Sequence, residues 1–437
     1  MNLETATLRR VTGRLVPFLI LLYVVAFIDR SAVGFAKLQM GTDVGIGDAA
    51  YGLGAGLFFI GYFLFEVPSN LALDRFGARR WFARILITWG VITVAMAFTN
   101  GPEMFYTLRF LLGAAEAGLF PGIIYYITTW YPVRHRSKIL GYFILAQPVA
   151  LMITSPLSGW AMSAAPFGLR GWQWLFIVVG VPAIFMAWPT LKVLPEGPKE
   201  ARWLNEDQKN WIAQQLENDR IKYGQSTHGN PLRALGDRRV LMLCLQYLPA
   251  CLAVYGLSLW MPTIVNAFGG STLQTGFVSA VPYLFGIAGL LFIPRYAGKL
   301  RENYAVMSVL YALGGMGLYV TATVPDPVLQ VAALSLTALC LFSVIAVFWT
   351  IPGTFLLGTS AAAGIALINS VGNLGGYIGP FAIGAIKEAT GSLAGGMYLL
   401  AGAMVFGAAI TWATRVIIRR SNPTTGAASI PTETLKV

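Results

Sequence analysis

Arg109 and Glu116 stand inside the stretch 103–130, among apolar, aromatic and glycine residues. They are seven residues apart, so on a helix they share one face, about 10 Å apart along the axis. A charge at the centre of a bilayer costs about 2.5–3.5 kcal/mol on insertion scales. Two such charges persist only where they meet a partner or water. A second pair, Asp29 and Arg30, closes the apolar run Tyr23-Val24-Val25-Ala26-Phe27-Ile28. Adjacent residues diverge by about 100° on a helix, so these two face different targets. The chemistry on offer is the grip of a planar guanidinium on a carboxylate, and the loading and release of a proton by a buried carboxyl.

The elements that must position these groups are membrane spans. The chain has 437 residues, 56% hydrophobic and 11% charged, where a soluble domain carries roughly a quarter charged residues. Mean hydropathy is +0.65. Apolar segments long enough to cross a bilayer, roughly 20 residues each, fall at 15–38, 50–73, 81–99, 103–130, 138–163 and 172–191. They resume at 240–267, 273–294, 304–323, 328–358, 361–386 and 393–418. The expected fold is an all-α membrane protein of twelve transmembrane helices in two six-helix bundles. The parts are 1–191, a linker 192–239, 240–420 and a disordered tail 421–437. Thr350-Ile351-Pro352-Gly353 interrupts the tenth run and predicts a broken helix there. Met1–Arg14 is polar and basic, and the run after it is too long for a signal-peptide core, so a retained first span is expected.

The net charge of +12 lies in short loops, which is a topology signal and not a nucleic-acid face. With the N-terminus inside, Lys37, Arg170 and Lys387 remain outside, Arg30 and Arg109 remain in the membrane, and both termini are cytoplasmic. In the linker, Asn205-Glu206-Asp207-Gln208 reads as an N-cap with a reaching Gln. Leu204, Trp211, Ile212 and Leu216 follow at roughly helical spacing, which predicts an amphipathic helix on the membrane or against the bundle. Cys244, Cys251 and Cys340 read as small buried residues. His135 and His228 fall in loops, with no metal-ligand spacing, no Walker loop and no cofactor site. An enzyme is not expected.

Asn70-Leu71-Ala72-Leu73-Asp74-Arg75-Phe76-Gly77-Ala78-Arg79-Arg80 resembles the signature loop of the major facilitator superfamily, Gly-x-x-x-Asp-Arg-x-Gly-x-Arg-Arg, with Asn70 in place of the first Gly. A weak second copy runs from Arg295 to Arg301. Asp74, Arg75, Arg79 and Arg80 are the expected gating latch. Glu66, near that loop, is expected to join it. Arg109-Phe110-Leu111-Leu112-Gly113 resembles the Arg-x-x-x-Gly helix of proton-coupled members, with Gly113 permitting close helix approach. Phe65-Glu66-Val67-Pro68-Ser69-Asn70 and Ala78-Arg79-Arg80-Trp81 resemble the anion:cation symporter branch, its tartrate, phthalate and 4-hydroxyphenylacetate permeases above all. That resemblance covers nearly the whole chain.

The resemblance implies a pseudo-symmetric major facilitator fold, a bacterial inner-membrane location, a small organic anion as substrate and protons as coupling ions. It implies that Asp29 pairs with Arg109, that Arg30 holds the substrate carboxylate and that Glu116 carries a coupling proton. It also implies a pocket lined by Tyr62, Gln147, Trp349 and Asn369, with Ala346 where a relative carries Ser. Plainer readings stand beside these. Asp29 and Arg109 would form a static bridge, Gln147 would satisfy backbone freed by Pro148, and Trp349 would be an interfacial anchor. Tyr62 would face lipid with most of the aromatic residues, and Asn373 would replace Asn369. Symport of a mono- or dicarboxylate by a monomer is the expected activity. A proton-driven exporter and an anion sensor are the alternatives.

Overall fold

The structure, a computed structural model, describes residues 2–224, 237–300, 303–352 and 359–421. The predicted tail, His228 and Arg301 lie outside them. The described residues are helical almost throughout. In chain order the helices are α1 (Leu3–Asp43), α2 (Asp48–Phe76), α3 (Ala78–Met96), α4 (Pro102–Glu116), α5 (Leu119–Thr128), α6 (Val133–Ala164) and α7 (Gly171–Val193). After a short 3-10 turn come α8 (Glu206–Gly224), α9 (Arg238–Asn266), α10 (Thr272–Leu300), α11 (Asn303–Thr323), α12 (Pro327–Phe348), α13 (Thr359–Thr390) and α14 (Ala394–Ser421). Among the described residues ten helical runs are long and apolar enough to cross a membrane, with α4 and α5 forming one such run. α3 and α13 are not in that set. α3 carries Arg79, Arg80 and Arg84 near its start, and α13 is rich in Gly, Ser and Asn.

The stretch 103–130 was expected as one helix, and the structure breaks it directly after Glu116. The cause is local. Pro121 has no N–H, so the carbonyl of Ala117, four residues back, loses its helical partner. Gly118 takes φ +90°, a left-handed conformation that glycine adopts without steric cost. The freed carbonyl accepts a bond from Ser69 Oγ of α2 at 2.6 Å, and Trp81 Nε1 donates to the same Ser69 at 3.0 Å. The interruption expected at Thr350–Gly353 coincides with the end of α12 at Phe348.

α2 packs on α4, α3 on α7, and α1 on α6 and α7. In the second half of the chain α9 packs on α13 and α14, α11 on α14 and α12, and α10 on α12. The halves meet chiefly at three crossings, α1 with α9, α2 with α13, and α6 with α10, with a smaller contact of α6 with α12. Glycines sit at all three crossings. A Cβ at Gly34 would stand 2.7 Å from the carbonyl oxygen of Leu259, one at Gly52 2.6 Å from that of Pro380, and one at Gly276 2.6 Å from that of Ser155. Close backbone approach of this kind is how helices associate where water is absent.

The linker helix α8 starts as read from sequence. Gln208 N donates to Asn205 Oδ1 at 2.9 Å, and Asn205 N donates to Gln208 Oε1 at 3.3 Å. Leu204 and Ile212 are buried, and α8 packs against α1. His135, expected in a loop, lies in the first turn of α6 and bonds Glu4 at 3.0 Å. The three cysteines are buried and free.

Candidate functional site

The charged residues of the first half converge because glycines bring α2 and α4 together. A Cβ at Gly113 would fall on the carbonyl of Phe58, and one at Gly61 on that of Phe110. Arg109, fully buried, therefore reaches the α2 backbone. Its Nε donates to Gly54 O and its Nη2 to Ala55 O, both at 3.4 Å. Phe58 lies 4.9 Å from its guanidinium.

The ion pair that forms is Arg30 with Glu116, joining α1 to the end of α4. The expected pairing of Asp29 with Arg109 does not form: among the described residues Asp29 has no ion pair within 4.0 Å and no hydrogen bond to either oxygen. Asp29 faces Thr93 and Trp89 of α3, with Arg109 and Glu116 as its charged neighbours. The 100° between Asp29 and Arg30 explains the division, since only Arg30 turns toward the second half of the chain. Four aromatic rings enclose its guanidinium: Phe58 at 4.8 Å, Phe27 at 4.9 Å, Tyr62 at 5.3 Å and Phe59 at 6.0 Å. Tyr62 is buried, so the lipid-facing reading of it fails, while neighbours such as Phe63 and Phe65 are exposed.

Arg30 lines a cavity of about 10 Å³ between the halves, scarcely room for one water. Phe27, Ser31 and Leu151 close it from the first half, and Tyr255, Ser258 and Leu259 from the second. Arg30 Nε, in the cavity lining, has no partner, and behind it in the first half Glu116 Oε2, Arg109 Nη1 and both oxygens of Asp29 are also unpartnered. Each unsatisfied buried group costs about 1–3 kcal/mol, so a ligand or proton that satisfied them would be bound favourably.

The other expected pocket residues spread along the same seam. Asn369 faces the Glu66 carboxyl, which also feels Arg30. Glu66 Oε2 is buried and unbonded, so Glu66 points between the halves and does not join the arginine latch. Trp349 packs edge-on against Tyr247, 5.3 Å between rings, and beside Phe348. Gln147 is half-buried on α6 and bonds no protein group among the described residues. Sequence reading missed Tyr255 and Ser258. Tyr247, Cys251 and Tyr255 recur every fourth residue on α9, a spacing that makes one polar stripe, and Tyr255 meets Phe59 at 4.5 Å.

Among the described residues, the bonds and ion pairs of the expected latch loop reach the first half and the linker. Asp74 accepts from Tyr125 Oη at 2.7 Å, Arg79 pairs with Glu196 at 3.7 Å, Arg75 lies near Phe76, and Arg80 forms no ion pair among the described residues. Among the described residues the ion pair that joins the halves lies at the opposite end. Asp48 of α2 holds Lys37 of α1 at 2.5 Å and Lys387 of α13 at 2.9 Å. Glu388 accepts from Ala49 N at 2.7 Å, and Tyr51 Oη donates to Leu259 O at 2.9 Å. That end is closed.

A family model described as "Major Facilitator Superfamily" matches residues 19–380. The chain belongs to that superfamily. The transporter is 59% identical to a "Quinolone resistance transporter" of Acinetobacter baumannii, over 94% of this chain and 95% of that one. It is 43% identical to a "Putative tartrate transporter" of Agrobacterium vitis, over 99% of each. Its fold is that of the crystal structure of a D-xylose–proton symporter, TM-score 0.72 at 13% identity, covering 92% of this chain and 97% of that one. It is a multi-pass membrane transporter and not an enzyme, and its similarity to the tartrate transporters places it with the anion-transporting branch.

Proposed function

We propose that this transporter imports a small organic anion together with protons by alternating access across a bacterial inner membrane. In this reading α1–α7, with α4 and α5 as one span, and α9–α14 form two pseudo-symmetric six-helix bundles, 1–191 and 240–420, that rock about the midplane. The linker 192–239 and both termini lie in the cytoplasm, as the Lys and Arg bias requires. Lys37, Arg170 and Lys387 then mark the periplasmic end, and Asp48 is the clasp that holds it closed. The monomer contains the whole site.

The observation that carries the reading is the Arg30–Glu116 pair at the cavity between the halves. Arg30 is the anchor for a substrate carboxylate, but Glu116 already occupies it. A proton on Glu116 weakens that pairing and frees the guanidinium for the anion. Asp29, Arg30, Arg109 and Glu116 sum to zero charge. One added carboxylate with one added proton preserves that balance in a low-dielectric interior, where an unbalanced charge is costly. Asp29, with no cation at ion-pair distance, offers a second place for a proton. Tyr62, Asn369, Gln147 and Trp349 supply the walls of the site when the halves part. Glu66 takes a place among them, and in the loop of Asp74, Arg75, Arg79 and Arg80 it is Arg79 that ties the near end of the first half to the linker through Glu196, while Asp74 ties it to α5.

Uptake into proteoliposomes under an imposed gradient, acid outside, tests this with tartrate and benzoate as hydroxylated and aromatic carboxylates. Accumulation against the concentration gradient that a protonophore abolishes is the expected result. Absence of any proton-dependent accumulation of either acid overturns it. The relative named for quinolone resistance favours export as the second reading. A quinolone is itself an aromatic carboxylate, so the same guanidinium and aromatic ring would serve it. Direction of flux in everted vesicles separates the two.

A further inference from the structure

Away from the central seam, the end of the molecule that carries the N-terminus holds a cleft of about 810 Å³. Arg9, Arg10, Gly13 and Arg14 of α1 line it, facing Val193 at the end of α7 and Gln208 in the first turn of α8. No acidic residue is in that lining. Among the described residues none of the three arginines forms an ion pair. Glu4 holds Arg134 at 2.8 Å and His135 at 3.0 Å, Glu196 holds Arg79, and Glu206 holds Lys209 at 2.8 Å; Asp207, exposed beside Gln208, is not part of the lining. Arg10 donates to Gln208 Oε1 at 3.3 Å, and the Arg14 guanidinium lies 5.8 Å from the Trp203 ring. Arg9 makes neither contact.

Depth and walls distinguish this from an ordinary basic loop. α1 has 41 residues and is about 60 Å long, twice the roughly 30 Å hydrocarbon core. Its first turns therefore project past the apolar layer. Trp188 is 65% exposed, with Lys192 Nζ 3.7 Å from its ring centroid. Such aromatic and cationic side chains sit at headgroup level, and Val193 of the cleft is the next residue. Three guanidiniums at that depth, walled by α7 and α8 and without counter-ions, are suited to a phosphate, which arginine grips through paired N–H bonds.

We propose that this cleft binds a phosphate-bearing anion, either the headgroup of an anionic phospholipid or free phosphate. Basic pockets beside membrane helices take anionic headgroups by the same chemistry. Because Arg10 and Asn205 share Gln208, an occupant that draws on Arg10 also acts on the start of the linker helix.

The test is thermal unfolding of the purified full-length transporter. Mixed micelles containing phosphatidylglycerol are compared with phosphatidylcholine, and sodium phosphate with sodium chloride at equal ionic strength. Stabilisation by phosphatidylglycerol and not by phosphatidylcholine assigns the lipid. Stabilisation by phosphate above chloride assigns the free anion. The triple variant Arg9→Gln, Arg10→Gln, Arg14→Gln abolishes either gain. Gly13→Phe gives an independent check, because a side chain there meets open space. It fills the cleft, keeps all three charges and removes the gain, with unfolding in chloride unchanged. Equal effects of the two lipids with no phosphate effect overturn the proposal, as does a full gain in Gly13→Phe.

Discussion

Glu116→Gln is the sharpest perturbation of the proposed coupling. Gln has the same shape, keeps an oxygen to accept from Arg30 Nη2 and carries no charge. In the native transporter an incoming carboxylate must take Arg30 from Glu116. A hydrogen bond to a charged group contributes about 1.5–3 kcal/mol, and each 1.4 kcal/mol is about tenfold in affinity. Substrate affinity is therefore about ten- to a hundredfold weaker when Glu116 is ionised than when it is protonated. The sign follows directly: raising the pH adds the competitor and weakens binding. In Glu116→Gln the competitor is absent at every pH. Binding stays at its tight limit and its pH dependence flattens.

The readouts are substrate affinity from pH 5 to 9, uphill uptake driven by a pH gradient, and counterflow exchange with substrate on both sides. Glu116→Gln is expected to bind and exchange but not to accumulate. Breaking a buried pair outright costs about 3–5 kcal/mol. The retained acceptor keeps the loss below that, so the variant folds. Continued accumulation against a gradient would refute the coupling role, and a native slope of affinity against pH would refute the competition.

Three further outcomes follow from the same geometry. Asp29→Asn removes a buried carboxylate that makes no hydrogen bond, so the melting temperature stays level or rises while uphill uptake falls; a lower melting temperature contradicts the geometry. Gly34→Ala pushes a methyl to 2.7 Å from Leu259 O and holds α1 off α9, so a Ser258→Cys thiol reacts several-fold faster with an impermeant maleimide from outside. Gly402→Ala, which meets open space, leaves that rate unchanged, and equal rates in both backgrounds defeat the prediction. Ser69→Ala strands the Ala117 carbonyl and lowers stability by about 1–3 kcal/mol, read by thermal unfolding; an unchanged melting temperature shows that the carbonyl finds another donor.

The helices were legible because apolar runs of bilayer length have few other uses, and the cap at Asn205–Gln208 because it depends only on near neighbours. Pairing was not legible. Spacing fixes which residues share a face of one helix, as with Arg109 and Glu116. It cannot say which helix lies opposite. Arg30 met Glu116 because α1 packs on α5, which begins just beyond Glu116, and Arg109 turned to the α2 carbonyls because Gly61 and Gly113 bring those backbones together. Glu66 was misplaced for the same reason: closeness in sequence to the arginine loop said nothing of α13 across the seam. Tyr255 was invisible as one more aromatic residue in an apolar run. Only its four-residue register with Cys251 and Tyr247 marked it. The break after Glu116 did carry a signal, in Gly118 and Pro121, that the apolar character of 103–130 overrode.

That break connects two motifs that the sequence presents as separate. Ser69 Oγ donates to the carbonyl freed by Pro121, one residue beyond Glu116. Trp81, at the start of α3, donates to Ser69, stacks on Phe76 at 5.8 Å and lies 3.9 Å from the Arg84 guanidinium. Phe76, Gly77 and Trp81 belong to the signature loop or adjoin it, so the loop and the carboxyl that holds Arg30 are joined by two hydrogen bonds. An unbroken α4 would bury its carbonyls in its own ladder and leave Ser69 nothing to bind. The interrupted helix instead ends on a residue whose position α2 and α3 both set. In the proposed cycle, movement of this loop as the halves rock would reach the backbone beside Glu116 through those two hydrogen bonds. The proposed proton site and the proposed gate would then change together, which is the condition coupled transport imposes.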